Sequence, residues 1–251
     1  MSALSGEVGR ARLHAMLRAH ERMVAFTGAG ISTEAGVPDF RTPGSPWMVN
    51  KPIPFDAFVA SAAARNEAWR RKFAMDDSYR GAKPTPAHHV LADLIASKRM
   101  QAIITQNIDG LHQQAGADDV IEIHGNGTYA TCLDCTVRHE IAEVRAHFEA
   151  KGHAPGCRAC GGIVKSATIS FGQRMPEAAM RRADALARDC DLFLVVGSSL
   201  VVFPAAQLPL VAKQAGATLV ILNREPTPLD AHADLVVHGE IGEMLSGFAG
   251  L

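Results

Sequence analysis

The chain has no excess of charge of either sign: 25 lysines and arginines stand against 26 aspartates and glutamates in 251 residues. A near-neutral total gives no field to draw it onto a polyanion, so neither nucleic acid nor a membrane surface is expected as a partner. No apolar run approaches the roughly 18 residues that a membrane span needs. The opening stretch, MSALSGEVGRARLHAMLRAH, lacks the apolar core of a signal peptide and reads as a short amphipathic helix. Position 2 is Ser2, which removes the N-myristoylation pattern. Internal repeats and low-complexity linkers are missing too. With 47% hydrophobic residues the chain is long enough to bury a core without disulfide staples. A single catalytic domain is the expectation, working as a monomer in the cytoplasm. Only five cysteines are present, and in such a chain they point to metal binding or redox chemistry before a disulfide framework.

What the chain does have is a set of short, continuous apolar runs of the kind that form buried parallel strands: residues 23–27 (MVAFT), 102–105 (AIIT), 120–123 (VIEI), 192–196 (LFLVV) and 218–222 (TLVIL). Helical patterns such as 88–97 and 177–190 alternate with them, which predicts an α/β fold with a mainly parallel, Rossmann-like sheet. Small or polar residues follow every strand: Gly28-Ala29-Gly30, Gln106-Asn107-Ile108-Asp109, His124-Gly125-Asn126, Gly197-Ser198-Ser199 and Asn223-Arg224-Glu225. Ligands of open α/β sheets bind beyond the carboxyl ends of the strands, so five such tails predict a site. Residues 42–83 and 129–162 interrupt the alternation. They predict a smaller lobe, helical in the first part and cysteine-bearing in the second, beside a large lobe of 1–41, 84–128 and 163–251.

Four motifs bear chemistry. Gly28-Ala29-Gly30-Ile31-Ser32 follows a strand and can bring backbone N–H groups to a pyrophosphate, or can be a plain glycine turn; Thr33 stands where the dinucleotide fingerprint has its third glycine. Asp39 and Arg41 on the following loop favour the phosphate reading, because charged groups are costly to bury without a partner. Asn223 and Glu225 suit ribose hydroxyls, though Asn-Arg-Glu-Pro is also good turn chemistry. Cys132-x-x-Cys135 and Cys157-x-x-Cys160 form two paired knuckles whose four thiolates would close the tetrahedral shell of one structural Zn²⁺. A redox dithiol or two unlinked knuckles are the alternatives. Cys190 reads as a core residue. Among eleven histidines, His124 stands out by its place at a strand end, where an imidazole of ordinary pKa near 6.5 can act as a base. His88, His89, His112, His153 and His238 fall on predicted helices, loops or the outskirts, with His112 the nearest rival.

Together these pieces resemble the sirtuin family of NAD-dependent protein deacylases. The matching runs are residues 28–41 (GAGISTEAGVPDFR), 105–112 (TQNIDGLH), 122–125 (EIHG), the four-cysteine module, 170–172 (SFG), 197–206 (GSSLVVFPAA) and 223–225 (NRE). The resemblance implies a Rossmann-type lobe and a zinc-bearing lobe, with NAD and an acyl-lysine protein substrate meeting in the cleft between them. Carried over, it implies NAD contacts from Gly28, Ala29, Gly30, Ser32, Asp39, Phe40, Arg41, Gln106, Asn107, Asp109, Gly197, Ser198, Ser199, Asn223, Arg224, Glu225 and Ile241. His124 and Asn107 would be catalytic. Phe171, Gly172, Leu200, Val201 and Phe203 would meet the substrate peptide by strand addition. The implied reaction moves the acyl group to ADP-ribose and releases nicotinamide, with His124 taking a proton from the ribose hydroxyls.

The stretch 165–173 (KSATISFGQ) departs from the family's frequent Arg-Pro-x-x-Val-x-Phe-Gly-Glu, which bears on peptide preference. The Tyr-x-x-Arg pair of members that favour acidic acyl groups is replaced by Trp69-Arg70-Arg71-Lys72-Phe73, so an acetyl or longer apolar acyl group is expected. An NAD-dependent oxidoreductase, a mono-ADP-ribosyltransferase and a zinc-ribbon module that senses NAD are the competing functions.

Overall fold

The computed structural model describes residues 3–39, 45 and 52–248. In chain order its strands are β1 (Met23–Thr27), β2 (Met100–Thr105), β3 (Val120–Glu122), β4 (Gly125–Cys132), β5 (Arg138–Glu140), β6 (Val164–Thr168), β7 (Leu192–Val196), β8 (Thr218–Asn223) and β9 (Leu235–His238). The helices are α1 (Gly6–Ala19), α2 (Phe55–Ala60), α3 (Ala62–Ser78), α4 (Pro86–Ala96), α5 (Leu111–Gln114), α6 (Ile141–Lys151), α7 (Glu177–Asp189), α8 (Leu208–Gln214) and α9 (Ile241–Leu245). No helix among the described residues is long and apolar enough to cross a membrane.

Six strands form one sheet in the order β3-β2-β1-β7-β8-β9, with every pairing parallel. Successive side chains of a strand point to opposite faces, and here both faces are covered. Met23 and Ala25 of β1, Leu192, Leu194 and Val196 of β7 and Val220 and Leu222 of β8 pack with Leu13 and Leu17 of α1, Leu91 and Leu94 of α4 and Met244 of α9. Val24, Phe26, Phe193, Val195, Leu219 and Ile221 face the other way, onto Ala183 and Ala187 of α7 and Leu208 and Ala212 of α8. That double coverage is why the strands read as unbroken apolar runs rather than alternating ones. β9 completes the sheet and is absent from the five strands predicted; its four residues, Leu-Val-Val-His, are too short to stand out. Leu4 adds one bridge outside it, pairing with Val237.

The second sheet has the order β5-β4-β6 and is antiparallel. Residues 125–128 and 164–168, expected with the large lobe, lie in this sheet. The reason is pairing: Cys132 meets Val164 and Gly125 meets Thr168 across β4 and β6. α3 packs on it, so that Trp69 and Phe73 share a cluster with Ala130, Cys132, Val144, Cys157 and Val164. Trp69 Nε1–H reaches the Val164 carbonyl at 3.3 Å, and Arg145 of α6 donates to the Phe73 carbonyl at 3.1 Å.

The two halves of the large sheet meet at β1 and β7, and their exits cross at three glycines. A Cβ on Gly28 would lie 2.8 Å from the Gly197 carbonyl oxygen, and one on Gly30 would lie 2.7 Å from the Gly197 Cα. Gly197 itself has φ +65, and its own Cβ would strike the Ile31 nitrogen. Two backbones can pass this closely only without side chains. Gly197→Ala is expected to cost about 2 kcal/mol or more. Its melting temperature should fall by roughly 4–8 °C, and an unchanged melting curve would contradict the crossing.

Candidate active site

Strand order reverses between β1 and β7, the switch point at which open α/β sheets form their ligand crevice beyond the carboxyl ends of the strands. Gly28 follows β1 and caps a 3₁₀ helix, Ala29–Ala35, rather than the α-helix of a dinucleotide fingerprint. The Gly30 N–H goes to Gly197 O at 2.9 Å, so the turn after β1 is laced to the turn after β7. Gln106, leaving β2, adds a second lace: its amide nitrogen donates to Ser198 Oγ at 2.7 Å.

Asn107 and Asp109 reach the same crevice from β2. The Asn107 side-chain amide is buried and donates to Gly28 O at 3.1 Å and to Ser32 Oγ at 3.2 Å. The Ser32 hydroxyl donates to Asp109 Oδ2 at 2.7 Å, and the Leu111 N–H donates to Asp109 Oδ1 at 3.0 Å. Burial still lifts the Asp109 carboxyl above its ordinary pKa, against these hydrogen bonds.

Two histidines that the sequence placed away from the site lie directly beneath it. His88 is fully buried, and its Nδ1 accepts the Thr85 N–H at 3.1 Å as part of the N-terminal capping box of α4. An accepting Nδ1 leaves the proton on Nε2, which lies 3.4 Å from Ser32 Oγ. His112 is buried against it, with ring centroids 4.7 Å apart, and its Nε2 lies 2.8 Å from Thr27 Oγ1. Desolvation lowers their pKa values to about 4 for His88 and about 3 for His112, so both are neutral near pH 7. Histidine at the N3 position of a helix opened by Thr-Pro was the available signal for His88; for His112 the three-residue spacing from Asp109 was the only one.

His124 occupies the link between the sheets, after β3 and immediately before β4. Its backbone oxygen accepts the Ile169 N–H at 2.8 Å. Gly125, at φ +74, has no room for a side chain against the Ala167 carbonyl. Glu122 accepts from Gln113 at 2.7 Å and from Asn126 at 2.6 Å, which ties the approach to the departure of the turn. The imidazole is half-buried, with Nδ1 3.1 Å from Gln106 O. A carbonyl only accepts, so Nδ1 carries the proton and Nε2 presents a lone pair. Burial pushes the His124 pKa below its ordinary value, partly offset by the Gln106 contact.

The other sequence candidates divide by surroundings. Asn223 is buried and donates to Glu225 O at 2.7 Å, while Arg224 is forked onto Glu240 at 2.9 and 3.0 Å. Ile241 is buried at the start of α9, where the Gly242 N–H donates to Glu34 Oε1 at 2.8 Å. Ala29 and Ser199 lie on the turns after β1 and β7 and are half-buried, as is Asp39. Phe40 and Arg41 lie outside the described residues. Phe171 and Phe203 are 59% and 67% exposed, an unusual display for phenylalanine, and Val201 stands beside them at 38%. Gly172 turns the chain at φ +82. The Leu200 side chain is only 3% exposed and packs in the core, leaving its backbone alone for a peptide. Nearby, Lys165 is buried and donates to Thr168 O at 2.5 Å and Ser166 O at 3.2 Å; desolvation lowers its pKa to about 8.

The Sγ atoms of Cys132, Cys135, Cys157 and Cys160 all lie within 4.8 Å of one another. A tetrahedral Zn²⁺ with Zn–S near 2.3 Å places its sulfurs about 3.8 Å apart, and the observed neighbours, at 3.3, 3.5 and 3.6 Å, fit that set. The N–H of Ala159, at 3.4 Å, is the first of several contacts that hold the Cys157 thiol down to about 6, toward the thiolate a metal requires. Four protein ligands leave no open position, so the metal is structural. His139, buried with Nε2 3.3 Å from Cys157 Sγ, backs this cluster and was not singled out from sequence. Cys190 is buried in the core on the far side of the large sheet.

Comparison with known proteins agrees with this geometry. A model of the Sir2 family matches residues 28–204. The NAD-dependent protein deacetylase of Rhodopseudomonas palustris is 55% identical over 252 residues, covering 100% of both chains. NAD-dependent protein deacylase 2 of Archaeoglobus fulgidus is 42% identical over 233 residues, covering 92% of this chain and 90% of that one. Among solved structures, a Sir2–p53 peptide–NAD+ complex superposes with a TM-score of 0.83 at 37% identity, covering 93% of this chain and 94% of that chain. Sir2Af2 bound to a myristoylated histone peptide superposes at 0.79 with 37% identity, covering 97% and 95%. On the family match and on relatives of this identity and coverage, the chain belongs to the Sir2 family.

Proposed function

We propose that this protein is an NAD-dependent protein-lysine deacylase in which His124 is the general base. The observation that carries the assignment is the His124–Gln106 contact, which puts the proton on Nδ1 and leaves a lone pair on Nε2. NAD, when bound, would supply its ADP-ribosyl group as the acceptor of the acyl group, with nicotinamide as the leaving group.

The residues of the chain then take separate roles. Gly28, Ala29 and Gly30 bring bare backbone to the pyrophosphate, and Ser198 and Ser199 with Asn223 and Glu225 receive the adenosine half beside Ile241. Asn107 and Asp109, fixed by Ser32, form the nicotinamide end. His124 withdraws a proton from a ribose hydroxyl, which raises the nucleophilicity of that oxygen toward the acyl carbon. Phe171, Gly172, Val201, Phe203 and the Leu200 backbone receive the extended peptide; the exposure of the two phenylalanines supports this role. Phe40 and Arg41 would cover the reacting ribose. The large sheet with its helices works as one lobe and the zinc-bearing sheet with α3 as the other, in a monomeric cytoplasmic enzyme. The four cysteines hold Zn²⁺ as a brace for the second sheet and take no part in the chemistry.

Incubation with NAD and acetyl-lysine peptide should yield free lysine, nicotinamide and O-acyl-ADP-ribose, identified by mass; NADH or ADP-ribosylated protein as the product would overturn the proposal. His124→Ala is expected to lower deacylation by about 10²-fold or more while retaining part of the nicotinamide exchange, because the base acts after that bond breaks. The pH profile has a definite sign. His124 is active when neutral and its pKa is lowered, so kcat/KM should hold as pH falls to 6.5 and decline only below it. A decline centred above 6.5 would contradict the assignment. Removal of zinc with a thiol-competitive chelator, or Cys160→Ser, should lower the melting temperature by roughly 5 °C or more; equal curves with and without metal would rule out the bracing role.

A further inference from the structure

Arg224 leaves β8 between Asn223 and Glu225, at the edge proposed above for the adenosine ribose. Its Nε and Nη2 hydrogens go to Glu240 Oε1 and Oε2 at 3.0 and 2.9 Å, a fork-to-fork pair that uses one edge of the guanidinium. Glu240 is well placed to keep it. It directly precedes α9, whose second residue, Gly242, is pinned by Glu34 at 2.8 Å. Asp39 and Glu225 add weaker electrostatic support for the same cation.

In dinucleotide folds an acidic group at this edge accepts the ribose hydroxyls, whereas an available arginine accommodates a 2′-phosphate. Here the arginine is present and one edge of its guanidinium is already taken by Glu240. We infer that Glu240 is a specificity-determining residue: by occupying Arg224 it denies NADP a partner for its 2′-phosphate and restricts the enzyme to NAD. A phosphate entering this edge would compete with Glu240 for the guanidinium and meet its negative charge, which is discrimination by repulsion as well as by fit. The inference rests on the proposed placement of adenosine at Asn223 and Glu225.

The test is the ratio of kcat/KM for NADP to that for NAD, read as nicotinamide released with an acetyl-lysine peptide. Glu240→Ala is expected to raise the ratio about fivefold or more, the scale of one partly exposed ion pair, with NAD turnover within about twofold of wild type. Glu240→Gln, which keeps the size and removes the charge, should move the ratio in the same direction. Adding Arg224→Ala to Glu240→Ala should abolish the gain. An unchanged ratio in both single variants, or a gain that survives loss of Arg224, would overturn the inference. Asn223→Ala tests the placement separately: its KM for NAD should rise about tenfold if adenosine binds there, whatever the Glu240 variants do.

Discussion

The close crossing of two backbones at Gly28, Gly30 and Gly197 is the constraint on which the rest of the molecule depends. It joins the exits of β1 and β7, the two central strands, where the order of the sheet reverses. Any side chain at these points would force the two turns apart at the switch point of the sheet. Glycine is usually credited here with leaving room for a phosphate. In this protein its first task is internal, since the added Cβ atoms would meet protein backbone before they met any ligand.

A buried polar chain hangs from that crossing. Asn107 reaches Gly28 and Ser32, Ser32 reaches Asp109, and His88 stands behind Ser32 with its tautomer set by the cap of α4. The Ser32 hydroxyl has one proton to donate and gives it to Asp109, while its lone pairs face Asn107 and His88. Removing one member would leave its neighbour unsatisfied in a desolvated place, at a cost of about 1–3 kcal/mol for each orphaned group. A helix cap, a sheet exit and a carboxylate are thereby coupled, so the polar surface offered to a ligand is fixed before the ligand arrives.

His124 is held by a different mechanism, the junction of the two sheets. β3 belongs to the parallel sheet and β4 to the antiparallel one, with a single turn between them. The zinc cluster closes the far end of β4, since Cys132 is its last residue. His124 and the cysteine cluster therefore stand at opposite ends of β4, His124 just before its first residue and Cys132 at its last.

Much of this was legible in the residues themselves. Continuous apolar runs predicted β1, β2, β7 and β8 because burial on both faces leaves no polar alternation to confuse the pattern, while β3, also predicted, lies at the edge, is shorter and is buried only at Ile121. Paired Cys-x-x-Cys spacing predicted the metal cluster, since the local geometry of a knuckle is set by a few adjacent residues. The residues after β1, β2, β7 and β8 do lie at one edge, because a parallel sheet sends all its carboxyl ends the same way. Tertiary structure alone decided the remainder. β9 and Leu4 become strand only by pairing with an edge already formed. His88 and His112 carry only weak local signals in sequence, and their place under Ser32 and Thr27 is set when α4 and α5 pack against β1 and the turn after it. The tautomer of His124 depends on a carbonyl 18 residues earlier, and the pairing of Arg224 with Glu240 depends on a chain reversal of 16. Local pattern reports how a segment folds; which polar groups face one another across segments is set only when the segments pack.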